Sequence, residues 1–152
     1  MIIGIVDTTF ARIDMAEAAL QVLEQNAPNA DVIRYTVPGV KDLPVACQKL
    51  FEQGCEIVIA LGWVGAAPID KICGHEASTA LQLVQLKFSR HILEVFVHED
   101  EDENLEEVKQ IALNRAAKHA ANAIALLKGQ TTLTSKAGQG LRQGRENAGP
   151  LY

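Results

Sequence analysis

The order of the apolar runs constrains this chain more than any other feature. Four β-branched runs, Ile2–Val6, Val32–Val37, Glu56–Leu61 and Ile92–Val97, are nearly continuous in apolar residues rather than alternating. That pattern suits strands buried on both faces of a parallel sheet. Between the runs lie stretches with helical spacing. Met15, Ala18, Ala19, Val22 and Leu23 form the first, and Val45, Cys47, Leu50 and Phe51 the second, stopped by Gly54. The third, Ala77–Leu86, is opened by His75-Glu76 after Cys73-Gly74. The longest runs from Leu105 through Val108, Ala112, Ala116, Ala120 and Ala123 to Leu127, closed by Gly129.

Strict β-α alternation predicts an α/β three-layer sandwich: a four-stranded parallel sheet covered by helices on both sides, with right-handed crossovers. A flavodoxin-like strand order of 2-1-3-4 is expected. The 152 residues suit one domain spanning 1–152, with 128–152 as a Gly-rich tail. The alanines of the last helix permit close approach of another helix, within the chain or between subunits, or serve only as good helix formers.

A net charge of −5 and the absence of a basic stripe argue against nucleic acid as a partner. No apolar run reaches the ~20 residues of a membrane span, and no basic-then-apolar leader opens the chain. Cys47, Cys55 and Cys73 form no CxxC pair, so reduced thiols in a cytoplasmic protein are expected.

Ligands of such sheets bind outside the carboxyl ends of the strands. The residues there are Asp7-Thr-Thr-Phe10, Pro38-Gly-Val-Lys-Asp42, Gly62-Trp-Val-Gly65 and His98-Glu-Asp100, whereas the opposite edge carries plainer turns such as Asn26–Asn29. This asymmetry marks the candidate site. Simpler roles compete at each position. Asp42 is expected to cap the second helix, with Pro44 in its first turn. Pro38-Gly39 makes a turn, and Lys41 could be a solvated side chain. His98, leaving a buried strand beside Glu99, is better placed for chemistry than His75; His91 and His119 read as surface or packing residues. The acidic run Glu99–Glu103 reads as a helix start favoured by the helix dipole, or as oxygen ligands for Mg²⁺. No GxGxxG, no GxSxG and no Gly-rich phosphate loop after the first strand are present.

Several longer motifs carry a resemblance. Gly4-Ile-Val-Asp-Thr-Thr-Phe-Ala-Arg12, Val37-Pro-Gly-Val-Lys-Asp-Leu-Pro-Val-Ala-Cys47, His75-Glu-Ala-Ser78, Glu94-Val-Phe-Val-His-Glu-Asp-Glu101, Gly140-Leu-Arg-Gln-Gly144 and Ala148-Gly-Pro150 closely resemble archaeal-type riboflavin synthase over nearly the whole chain. That family is itself similar to 6,7-dimethyl-8-ribityllumazine synthase. The lumazine synthase pattern departs here in two places. Lys41 replaces an aromatic residue in the turn after the second strand, and Gly65–Asp70 lacks the Thr and His elements that serve a sugar phosphate. Arg115 is the one residue that matches its phosphate-binding arginine.

The resemblance implies a lumazine synthase-like fold and a dismutation. One 6,7-dimethyl-8-ribityllumazine gives a four-carbon unit to another, forming riboflavin and 5-amino-6-ribitylamino-2,4-pyrimidinedione. It implies no organic cofactor, a lumazine as small-molecule substrate, and a homopentamer with active sites at subunit interfaces. Under it, Phe10 stacks on a ring, Thr8, Thr9 and Asp42 bind ribityl hydroxyls or ring edges, and backbone of Val37, Pro38, Gly39 and Val40 meets the pyrimidine. Gly62 and Trp63 line the pocket, Lys41 offsets negative charge, and His75 or His98, aided by Glu76 or Glu99, moves protons. Lumazine synthase proper and a non-catalytic flavin- or pteridine-binding module are the alternatives.

Overall fold

The computed structural model describes residues 1–152. Its strands are β1 (Ile2–Thr8), β2 (Asp31–Val37), β3 (Ile57–Val64) and β4 (Ile92–His98); its helices are α1 (Met15–Asn26), α2 (Leu43–Glu52), α3 (Pro68–Phe88) and α4 (Leu105–Lys128). All neighbouring strands pair in parallel, in the expected order β2-β1-β3-β4. β1 and β3 occupy the centre, where both faces must be covered, and every residue of β3 is buried. β2 departs from the sequence reading. As an edge strand it exposes most of its residues, because a β-branched run marks a strand without saying how many neighbours it has.

Two cores flank the sheet. On one face α1 and α4 pack on Ile3, Ile5, Ile59, Leu61, Val95 and Val97. On the other, α2 and α3 pack on Val6, Val58, Ala60 and Val64. The alanines of α4 settle inside the chain: Ala112, Ala116, Ala120 and Ala123 are fully buried in the core they share with Ala16 and Ala19 of α1. Their small side chains let the two helices approach each other and the sheet, so this face of α4 is not left for another subunit.

α3 begins earlier than expected. Gly74, read as a boundary, lies within it and faces β3: a Cβ there would come within 3.1 Å of Val64 Cγ2. The glycine brings the helix close to the strand instead of ending it. The tail holds one 3₁₀ turn at Thr134–Lys136, and its Gly-rich part folds back on α4. Gly144 donates its N–H to Asn114 Oδ1 at 2.9 Å, and its φ of +84° allows the chain to turn there against the Arg115 guanidinium. No helix is long and apolar enough to cross a membrane.

Candidate active site

Parallel strands bring the residues after all four carboxyl ends to one edge. There the first two loops are joined through backbone. Thr9 N–H donates to Val37 O at 2.9 Å and Phe10 N–H to Pro38 O at 3.1 Å. The Thr9 hydroxyl reaches Pro38 O at 3.3 Å, and Thr8 Oγ accepts the Ala11 N–H at 3.2 Å. Asp42 stands at the start of α2 without capping it; its carboxylate accepts the Gly39 N–H at 3.2 Å and closes the 3₁₀ turn Val40–Asp42. These bonds engage Val37 and Pro38 carbonyls and the Gly39 amide, groups expected to face a ligand. Their first duty is to hold the loops.

The joined loops form one wall of an apolar cavity of about 200 Å³, lined by Phe10, Gly39, Val40, Lys41, Asp42, Trp63, Val64, Gly65, Asp70 and Cys73. Phe10 is 52 % exposed and offers its ring at the rim. Trp63 is 3 % exposed, so only part of its ring reaches the cavity wall. Gly62 does not line it. A Cβ at this position would lie 2.6 Å from the Phe96 ring, so Gly62 admits that ring rather than a ligand. Lys41 pairs with Glu76 at 2.8 Å, which ties the turn to α3. The hydrogen bond first, and the opposite charge second, hold Lys41 above and Glu76 below their ordinary pKa values.

The histidines fall elsewhere. A polar cavity of about 440 Å³ is lined by Lys71, Gly74, His75, Ser78, Glu94, Phe96, His98, Arg115, His119 and Gln143. Within one chain, therefore, Phe10 and Lys41 line one opening and His75 and His98 another. Burial first and the Lys71 charge second push His98 below the usual histidine range. His119, read as a surface or packing residue, is pushed down by burial and then by Arg115, and its Nδ1 is buried without a partner. Ser78 donates to Glu94 at 2.7 Å.

The acidic run takes a form that the sequence did not suggest. Its three leading carboxylates each meet different cations. Glu99 turns toward Arg12 and accepts the Trp63 indole N–H at 3.3 Å; it does not partner His98, because successive residues of the turn project to different sides. Asp100 meets Lys71 at 2.5 Å. Glu101 binds Arg115 through both nitrogens, at 2.7 and 2.9 Å, and accepts the His98 backbone N–H at 2.9 Å. Burial alone would raise the Glu101 carboxyl, but those bonds and the charges of Arg115 and Arg145 outweigh it and hold it low. The three carboxylates are thus engaged by separate cations, and no three His, Cys, Asp or Glu groups of one chain converge on a common point.

A third cavity, of about 430 Å³, lies by Thr8 and Thr9 and holds the buried Asp7. Register places Asp7 beside Thr36, which donates to it at 2.6 Å, while Arg34 reaches it at 2.5 Å. Arg34, Lys71, Ser78 and Glu94 were not assigned roles at this edge from sequence, and Arg115, matched there to a phosphate-binding arginine, is held by Glu101. Lys71, His75 and Ser78 share a face at i, i+4 and i+7, visible once α3 is taken to start at Pro68.

The α/β fold gathers its strand-end loops into two cavities at one edge, and comparison makes the class specific. The chain belongs to the 6,7-dimethyl-8-ribityllumazine synthase family, whose model matches residues 1–130. Within that family it is 55% identical over 150 residues to the riboflavin synthase of Methanothermobacter thermautotrophicus, covering 98% of each chain. It is 47% identical over 150 residues to that of Aeropyrum pernix, covering 98% of this chain and 97% of the other. Likeness to the 6,7-dimethyl-8-ribityllumazine synthase of Paraburkholderia phymatum is lower and partial: 31% over 108 residues, 66% of this chain and 63% of that one. The resemblance read from the motifs stands.

Proposed function

We propose that this chain is a riboflavin synthase, converting two molecules of 6,7-dimethyl-8-ribityllumazine into riboflavin and 5-amino-6-ribitylamino-2,4-pyrimidinedione. The observation that carries the reading is the 55% identity to a riboflavin synthase over 98% of the chain. The site geometry agrees on substrate charge. A sugar phosphate would want a free anion site, and α3 opens at Pro68 at this edge, where a helix N-terminus favours an anion. Here Asp70 is in the first turn, with its carboxylate against Gly65, so the chain's own anion fills that place. Arg115, the other candidate for a phosphate, is already bound to Glu101 and to the carbonyls of Phe96 and Gln143.

The chain's residues divide the chemistry between them. The half-exposed Phe10 ring, facing the apolar wall of Val40 and Val64, holds a flat heterocycle, and the joined loops fix that slot before substrate arrives. Holding two rings in register removes the entropy cost of their encounter, up to ~7–11 kcal/mol for ideal alignment. The Lys41 ammonium, steered by Glu76, meets negative charge that develops as a 7-methyl group loses its proton. His75 and His98 supply the titratable groups of the second cavity. The lumazine ring serves as its own electron sink, so the reading requires no organic cofactor.

A homopentamer in the cytoplasm completes the reading. Placing the apolar cavity of one subunit against the histidine cavity of its neighbour would unite at an interface what one chain keeps apart. The test is direct: purified protein is given 6,7-dimethyl-8-ribityllumazine alone and riboflavin is followed by absorbance. Riboflavin from that single substrate is expected. Lumazine formed only from the pyrimidine and dihydroxybutanone phosphate would favour the second reading, lumazine synthase, to which the family model points. Tight binding without turnover would reduce the chain to a pteridine-binding module.

A further inference from the structure

We infer that Lys71 is a positioning residue that fixes His98 as the Nε2–H tautomer, so that His98 meets its ligand as a hydrogen-bond donor and not as a base. The inference deepens the proposed function, since it assumes that His98 faces substrate. It rests on who can donate to whom. Lys71 Nζ lies 2.9 Å from His98 Nδ1. An ammonium carries three donors and no acceptor, so the shared hydrogen belongs to lysine and Nδ1 must offer its lone pair. The remaining ring proton is then on Nε2. The same ammonium also donates to Asp100 at 2.5 Å, which keeps it aimed.

The groups around the ring pull both ways, and those that favour the neutral form prevail. α3 supplies Lys71 and, along the same cavity, His75. α4 supplies Arg115 and His119, both lining the cavity. The turn after β4 supplies Asp100 and Glu101, which attract an imidazolium, but each is already engaged, by Lys71 and by Arg115. Burial and the Lys71 charge outweigh them and lower the His98 pKa. A base must present a bare nitrogen to the proton it takes; His98 presents an N–H instead. Its role is therefore to donate to a carbonyl or ring nitrogen that gains electron density, which leaves proton abstraction to another group of the site.

The tautomer is read without any turnover, by long-range ¹⁵N–¹H NMR of imidazole-labelled protein. His98 is expected to show the Nε2–H pattern at pH 7, to lose it in Lys71→Met, and to keep it in Lys71→Arg, which still donates. In Lys71→Met the His98 pKa is expected to rise toward the ordinary histidine value. With 6,7-dimethyl-8-ribityllumazine, kcat is expected to fall on the order of 10-fold in Lys71→Met with KM little changed, and to recover in Lys71→Arg. Wild-type protein showing the Nδ1–H pattern, or Lys71→Met leaving the pattern intact, would overturn the inference. The wild-type spectrum decides even where Lys71→Met folds poorly. Absence of riboflavin from the wild type would sink the proposed function alone, because the tautomer is measured independently.

Discussion

The two neighbouring cavities at the carboxyl edge are built on different physics. The apolar one owes its shape to backbone bonds: Thr9 to Val37, Phe10 to Pro38, and Gly39 to Asp42. The polar one owes its shape to side-chain charges, with Asp100, Glu101, Lys71 and Arg115 arranged around His98. A backbone-built slot keeps its form when a side chain at its rim is changed. A charge-built cavity depends on every partner, since a buried ion left alone is costly. The difference suits the proposed roles, because a ring needs a fixed slot and a hydrogen-bond donor needs partners that fix its orientation.

The largest effect expected is at Arg115. Its side chain is 14% exposed and Glu101 16%, so Arg115→Met should strand a mostly buried carboxylate and lower stability by about 3 kcal/mol in urea denaturation. Adding Glu101→Gln should restore part of the loss; if the single variant melts like wild type, the polar cavity is not charge-built. Next comes Gly62→Ala, whose methyl would meet the Phe96 ring and Val40; overpacking should cost about 1–3 kcal/mol by the same measurement.

The pH dependence separates the regions further. His98 and His119 both have folded pKa values below the ordinary 6.5, so the unfolded chain binds more protons there. Their contribution to stability is complete above about 6.5 and is lost as pH falls through the lower folded values. Glu101, also depressed, adds a second loss below the ordinary 4.5. Urea midpoints measured from pH 8 to pH 2 should fall in those two stages. The double variant His98→Gln, His119→Gln should flatten the first stage, and a midpoint that rises on acidification would contradict both assignments.

Substitutions at the rim of the apolar slot should hardly touch stability. Phe10→Ala removes a half-exposed ring and should shift stability by no more than about 0.5 kcal/mol, while kcat/KM for riboflavin formation drops at least about 10-fold. Lys41→Met breaks only an exposed pair and should leave the urea midpoint in place, with its effect confined to kcat.

The parts that local chemistry can specify were legible in the residues. The strand order and the three layers follow from four apolar runs separated by helical periodicity, and both agree with the structure. Phe10, Gly39, Val40, Lys41 and Asp42 were readable as one wall because they leave adjacent strands at the same end. The turn and loop residues at 36–44 carry their own signals in Pro, Gly and Asp.

Tertiary structure alone decided the partners. Glu99 and Glu101 are two residues apart, yet one faces Arg12 and Trp63 and the other Arg115, because a 3₁₀ turn sends successive side chains in different directions. Gly74 could signal a helix end in any sequence; only the nearness of Val64 makes it a packing glycine inside α3. The run at β2 reads like the other strands, but its place at the sheet edge leaves it exposed. Propensity and periodicity act within a few residues along the chain, so they determine elements and their order. Charge pairing, close contact and edge position act across space between residues distant in sequence, so they exist only once the chain has folded.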